Sequence, residues 1–314
     1  MKPLLSGDIP TSVITSVMTL NLDLREWQRN KRIGHVLSDT VLSGGKRLRP
    51  FITFLMGDLF GVAHEIIAPY ARVVELVHAS TLAHDDVIDD AQVRRGGASI
   101  NAVASNKRAV LAGDYLLAYV LDTVSALGNQ RIVRELALII SDLAEGEWIQ
   151  LENAEKDHLT RAEVEEVARK KTGSVLRWCC VVPAILAEAS EDECQMAQEL
   201  GETLGIAFQI TDDILDCLRP DAARLADLKN GVINSVWFEM LESGDTSQLR
   251  QAAAESSVAQ EAIDHAIAKV RPRLSELIGR VRHLVDKLSE SRSKEGSHAP
   301  RALSYLIDYL EARV

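Results

Sequence analysis

The chain has 314 residues, 46 acidic against 35 basic side chains and a formal net charge of −11, so nucleic acid and anionic membrane surfaces are excluded as main partners. Aromatics make up only 4%, while Leu, Ala, Val and Ile dominate and no alternating apolar-polar run of useful length appears, which points to an all-α class. No linker-like stretch or composition shift divides the sequence, and residues 1–314 read as a single domain with a large core.

Pro3, Asp8 and Pro10 interrupt any apolar leader, and no stretch is expected to reach the length of a membrane span. Residues 11–43 read as one or two amphipathic helices ending at Ser43-Gly44-Gly45. GGKRLRP follows, from Gly44 to Pro50. Its glycines free the backbone to approach a ligand, and Lys46, Arg47 and Arg49 either clamp an anion or form a solvated basic loop.

The next helix is expected to begin near Pro69 and to run through VVELVHASTLAHDDVIDD; Val73, Val74, Leu76, Val77 and Leu82 leave no continuous polar face, so it is central. It ends in four aspartates within six residues, Asp85, Asp86, Asp89 and Asp90, followed by Arg94 and Arg95. Asp85 and Asp89 share a face and Asp86 flanks it. Buried like charges demand a counter-charge, and oxygen donors without interleaved Cys or His suit Mg2+. His78, seven residues before Asp85, is either a satisfied core histidine or a deep anion ligand.

Gly96-Gly97 reverses the chain, and a helix over about Ala109–Leu127 returns antiparallel. In EGEWIQLEN, Glu147 and Gln150 are either polar groups facing a site or ordinary helix positions. Thr160–Glu163 and Ser190–Glu193 match capping boxes. Lys170-Lys171-Thr172-Gly173 predicts a helix break that exposes an oxygen. The helix opened by Ser190 reaches Asp216 and carries FQITDDILD, in which Asp212, Asp213 and Asp216 repeat the spacing of the first cluster. A short loop, DLKNGVINSVWFEML, a long charged stretch over about 246–290 and a closing helix complete the chain. Ser289–Ala299 is the least ordered candidate, and the four cysteines read as reduced core residues of a cytoplasmic protein.

GGKRLRP, HDDVIDDAQVRRG, Lys171-Thr172, FQITDDILD and the closing helix, in that order, resemble the trans-isoprenyl diphosphate synthase family over nearly the whole chain. The resemblance implies an all-α bundle of about ten or more helices around a deep apolar cavity, forming a homodimer that condenses isopentenyl diphosphate with an allylic diphosphate. It further implies that Asp85, Asp86, Asp89, Asp212, Asp213 and Asp216 hold Mg2+ on the allylic diphosphate, aided by Arg94 and Lys171. Lys46, Arg49, His78 and Arg95 would hold isopentenyl diphosphate. Thr172 and Gln209 would face the developing cation, and the released pyrophosphate would take the proton.

The resemblance implies that bulky groups four or five residues before the first aspartate close the cavity early; here those positions hold Thr81 and Ser80. Thr81, Val77 and Val74 are modest, and the first large group behind them is Tyr70, fifteen residues or about 22 Å down the helix. Tyr115 and Tyr119 of the facing helix are candidate plugs. A medium-to-long product is expected; a short-chain synthase, a class I terpene cyclase and a non-catalytic partner subunit are the alternatives. The chain departs from the family after Asp216, where the loop is short and lacks a Gly-Lys pair, and at Val232, where many members carry lysine; Lys229 is a candidate replacement.

Overall fold

The computed structural model describes residues 9–24, 31–94, 96–219, 225–241, 243–255, 258–292 and 298–314. In chain order these form α1 (Thr11–Thr19), α2 (Lys31–Asp39), α3 (Leu48–Phe60), α4 (His64–Ile88), β1 (Val93–Arg94), β2 (Gly97–Ala98), α5 (Ile100–Ala104), α6 (Asn106–Ala126), α7 (Gln130–Glu155), α8 (Arg161–Ala168), a π turn (Arg169–Gly173) and α9 (Ser174–Leu186). α10 (Glu191–Cys217), α11 (Ala226–Lys229), α12 (Ser235–Phe238), α13 (Ser247–Ala254), α14 (Gln260–Arg292) and α15 (Ala299–Glu311) follow. The fold is all-α, as its composition predicts; the strands are a two-residue antiparallel hairpin pairing Val93 with Ala98 and Arg94 with Gly97.

Apolar residues decide the layering. In α3 every residue from Pro50 to Gly57 is buried, and in α9 only Arg177 breaks the buried run from Ser174 to Ile185. These two helices lie at the centre with α4, whose buried residues point in every direction around its axis. α4 starts at His64 rather than near Pro69: Ala63 is extended, the helix winds from there, and Pro69 sits in its second turn with one backbone bond forgone. The four cysteines are free and buried, with Cys179 and Cys180 inside α9.

α6 runs antiparallel to α4, as three contacts show. Ser80 Oγ donates to the Gly113 carbonyl at 3.0 Å, His84 meets the Val110 carbonyl at 3.2 Å, and the Arg72 guanidinium lies 5.0 Å from the Tyr119 ring centre. Contrary to the expectation that no stretch reaches the length of a membrane span, one helix does. α6 is long and apolar enough to cross a membrane by length and composition. One face packs on α4, and the other carries exposed Val110, Leu111 and Leu121.

Both predicted capping boxes form, Thr160 with Glu163 at the start of α8 and Ser190 with Glu193 at the start of α10. Where a break is predicted at Lys170–Gly173, the chain instead stays helical from Arg161 to Leu186 and widens into the π turn. Of the segment expected to be least ordered, Ser289 to Arg292 is helical, tied down by Arg292 on Glu193; residues 293–297 lie outside the described residues.

Candidate active site

A cavity of about 1070 Å³ opens between α4, α6, α7, α8, the π turn and α10, closed on one side by the segment from Asp227 to Ser235. Asp85 and Asp89 line it from α4, Glu147 and Gln150 from α7, Lys171 and Thr172 from the π turn, and Gln209 and Asp213 from α10. The first aspartate motif faces this space through Asp85 and Asp89 and the second through Asp213, whereas Asp212 and Asp216 are not on its wall. Asp227 also lines the cavity, and its charge raises the pKa of both Asp89 and Asp216.

The three aspartates of the first motif divide into two kinds. Burial, and then the neighbouring charges of Glu147 and Asp89, push Asp85 up to about 7 against the pull of Lys171; Asp89 is raised for the same reasons. Asp86 points elsewhere. It is fully buried and takes Nε of Arg94 at 2.7 Å and Nη2 at 2.6 Å on one oxygen, while its other oxygen accepts the Ile100 backbone N–H at 3.3 Å. Asp86 thus anchors the loop after α4 to the start of α5. The expectation that it flanks the metal edge is corrected, because it lies about 100° around the helix from Asp85, on the packed side.

The second motif repeats the division. Asp213 is buried and pushed up to about 6 by desolvation. It accepts Nε2 of Gln209 at 2.8 Å, the Ser235 backbone N–H at 3.0 Å and Ser235 Oγ–H at 2.7 Å, and so holds the loop before α12. Asp212 and Asp216 carry arginines instead, Arg313 at 3.2 Å and Arg219 at 2.8 Å. Burial raises both carboxyls, and the positive charge of Lys46 reaches Asp212.

Among the described residues no three Asp, Glu, His or Cys side chains converge into a ready-made cage. The donors are carboxylate oxygens in pairs one helical turn apart, buried enough to need a counter-charge. That set fits Mg2+, which takes one or two protein carboxylates and completes its shell with water and substrate phosphate. Asp85 with Asp89, and Asp212 with Asp216, are the groups that would hold it.

The π turn separates two adjacent lysines. Its lengthened winding, closed by Ser174 N–H on the Arg169 carbonyl, leaves buried Lys170 on Asp142 at 3.0 Å and Glu145 at 2.6 Å. Lys171 turns into the cavity onto Glu147 and onto Gln150 at 3.1 Å. Thr172 Oγ–H donates to Gln209 Oε1 at 2.7 Å, so a relay runs Thr172, Gln209, Asp213, Ser235. Gly205 makes the close approach possible: a Cβ there would sit 2.5 Å from Gly173 Cα.

Of the basic loop, Arg49 lines the cavity beside His78, whereas Lys46 is exposed and outside its wall. Arg47, in the left-handed region at φ 51°, turns away and donates to the carbonyls of Val17 at 2.9 Å and Leu20 at 3.0 Å, fixing α3 to the end of α1. Arg94 lines the cavity but is committed to Asp86, and Arg95 lies outside the described residues. Lys229 lines a separate depression with Gly231 and Arg250, so it does not replace a cavity cation; Val232 does line the cavity.

The apolar end is lined by only part of the helix face named from the sequence. Thr81, Ser80 and Val77 line it, but Val74 and Tyr70 are packed in the core behind, and Tyr115 and Tyr119 are not on its wall. The opposing groups are Leu117, Ile140 and Leu143. Sequence reasoning missed these three, as it missed Asp227 and Ser235, which lie on other helices or beyond loops whose path no periodicity encodes; it also passed over Arg219, one turn after Asp216.

The polyprenyl synthetase family model matches residues 30–270. The chain is 30% identical over 303 residues to nonaprenyl diphosphate synthase of Mycobacterium tuberculosis, covering 90% of this chain and 88% of that one. It is 33% identical over 219 residues to solanesyl-diphosphate synthase 1 of Oryza sativa subsp. japonica, covering 63% of this chain and 51%, about half, of the relative's length. A decaprenyl diphosphate synthase crystal structure from Rhodobacter capsulatus superposes with a TM-score of 0.81 at 28% identity, covering 97% of both chains. By family match, by identity across most of its length and by fold, the chain belongs to the polyprenyl synthetase family.

Proposed function

We propose that this chain is a prenyltransferase condensing isopentenyl diphosphate head-to-tail with an allylic diphosphate, Mg2+-dependent, to give a medium-to-long trans-polyprenyl diphosphate. The observation that carries the reading is the single cavity in which Asp85, Asp89 and Lys171 stand at one end and Val77, Leu117 and Ile140 at the other. An anion and a hydrocarbon on one molecule satisfy both ends. The relatives named for nonaprenyl, solanesyl and decaprenyl products support the longer class over a short-chain synthase.

Bound Mg2+ supplies charge compensation for the departing diphosphate. Asp85, Asp89, Asp212 and Asp216 hold it, with Asp86 and Asp213 as positioning residues that fix the adjoining loops. Lys171 shifts from Glu147 to the diphosphate. As the allylic C–O bond breaks, the lone pairs of Thr172 and Gln209 face the carbon that becomes positive, and the aliphatic wall excludes water from it. The new C–C bond forms to isopentenyl diphosphate, held by Arg49, His78, Lys46 and Arg95, and pyrophosphate accepts the proton lost. No protein base is required.

The whole chain acts as one domain and pairs with a second copy through the apolar face of α6 and α7, where Leu111, Leu121, Leu138, Trp148 and Leu151 are exposed. Free, buried cysteines suit the cytoplasm. The test is chromatographic sizing of radiolabelled product from farnesyl or geranylgeranyl diphosphate with isopentenyl diphosphate and Mg2+. Product that needs isopentenyl diphosphate, and that Asp85→Ala or Asp212→Ala abolishes, is expected. Release of pyrophosphate from the allylic substrate alone, with a cyclised hydrocarbon, would establish a cyclase, and inactivity of the pure chain a partner subunit.

A further inference from the structure

Among the described residues the cavity wall carries four lysine and arginine side chains: Arg49, Arg94, Lys171 and Arg219. They are not equally available. Arg94 is locked on buried Asp86, and Lys171 is held by Glu147 and Gln150. Arg219, just past the end of α10, is 61% exposed and pairs with Asp216 three residues before it. Exposed pairs of this spacing are weak.

The partner itself is the telling feature. Asp216 is one of the carboxylates that would take a metal ion, and Arg219 also lowers the pKa of Asp212. Once Asp216 serves a metal, its hold on Arg219 weakens, and a planar fork of donors is left beside the same chamber. Guanidinium geometry matches phosphate oxygens two at a time. The wall is otherwise acidic, with Asp85, Asp89, Glu147, Asp213 and Asp227. A multiply charged diphosphate entering it needs every mobile cation within reach.

We infer that Arg219 binds the diphosphate of the allylic substrate, exchanging Asp216 for it as the site fills; this rests on the prenyltransferase reading. The probe is inorganic pyrophosphate with Mg2+, titrated calorimetrically into the full-length protein, alongside steady-state kinetics for both substrates. Arg219→Gln is expected to weaken pyrophosphate binding by roughly ten- to a hundredfold and to raise KM for the allylic substrate. KM for isopentenyl diphosphate and the helical circular dichroism should stay unchanged. Arg219→Lys, which keeps the charge but loses the planar fork, is expected to bind more weakly than wild type and more tightly than Arg219→Gln.

An Arg219→Gln protein that binds within about twofold of wild type, or one whose KM for isopentenyl diphosphate rises as much as that for the allylic substrate, overturns the inference. A wild-type protein that binds no Mg2+-pyrophosphate and forms no product sinks instead the functional reading beneath it.

Discussion

Arg94 closes on one oxygen of Asp86 with both Nε, at 2.7 Å, and Nη2, at 2.6 Å, and the carboxylate it meets has no exposure to solvent. The pair joins the end of α4 to the loop that reverses the chain. Removing the charge from Asp86 strands a guanidinium against a buried amide. Asp86→Asn is therefore expected to cost about 3 kcal/mol of stability, read by denaturant unfolding, with lost activity following from a displaced loop.

Asp85 behaves in the opposite way. Its charge is disfavoured by burial and by Glu147, so a neutral isostere relieves strain in the metal-free protein. Asp85→Asn should raise stability on the order of 1 kcal/mol at pH 8 while abolishing turnover and weakening Mg2+-pyrophosphate binding. Loss of stability in that variant would contradict the assignment of Asp85 to the metal.

The pH dependence follows from the same shift. The folded protein keeps a proton on Asp85 up to about 7, whereas the unfolded chain loses it near the ordinary carboxyl value of about 3.9. Between these limits the folded state binds more protons, so stability falls as pH rises and the penalty is complete above 7. The metal-free protein should melt higher at pH 6 than at pH 8, and saturating Mg2+-pyrophosphate should flatten or invert that difference. Binding at pH 6 should release a proton, visible as a buffer-dependent heat. Glu163 and Glu193, held low by Lys156 and Arg292, act oppositely and only below about pH 4.5.

Thr172 donates to Gln209 and leaves its own lone pairs to the cavity. Thr172→Val keeps the volume and removes the oxygen. A drop in kcat of roughly a hundredfold, with KM for either diphosphate little changed, is expected from single-turnover and steady-state measurements.

Product length should respond to the wall that the structure defines. Thr81→Phe projects into the cavity and is expected to shorten the product, whereas Leu117→Ala opens the opposite side and should lengthen it, both read by chromatographic sizing. Ser80→Phe is the poorer tool, because Ser80 is buried and hydrogen-bonded to Gly113, so the larger ring costs stability as well.

Much of this was legible in the residues. Helix class, the two aspartate clusters, both capping boxes and an irregular winding around Lys171 follow from spacing and local chemistry, which act within a turn or two. What spacing could not show was direction. Asp86 and Asp213 look like their neighbours in a string of letters, but Arg94, eight residues on, draws Asp86 off the cavity wall, and Ser235, twenty-two residues on, occupies Asp213 on it. The opposing wall of the apolar end was not legible for a related reason: α4 alone suggested Val74 and Tyr70, while Leu117 and Ile140 come from helices whose rotation is set by tertiary packing.

The one widened turn between α8 and α9 has a consequence for engineering. Each residue added to a helix advances the phase of everything after it by about 100°. Lys170 and Lys171 are thereby dealt to opposite clients, one to a structural acidic pair and one to the reaction chamber. Which lysine serves chemistry is written in the winding of the main chain, so neither can stand in for the other by choosing a new rotamer.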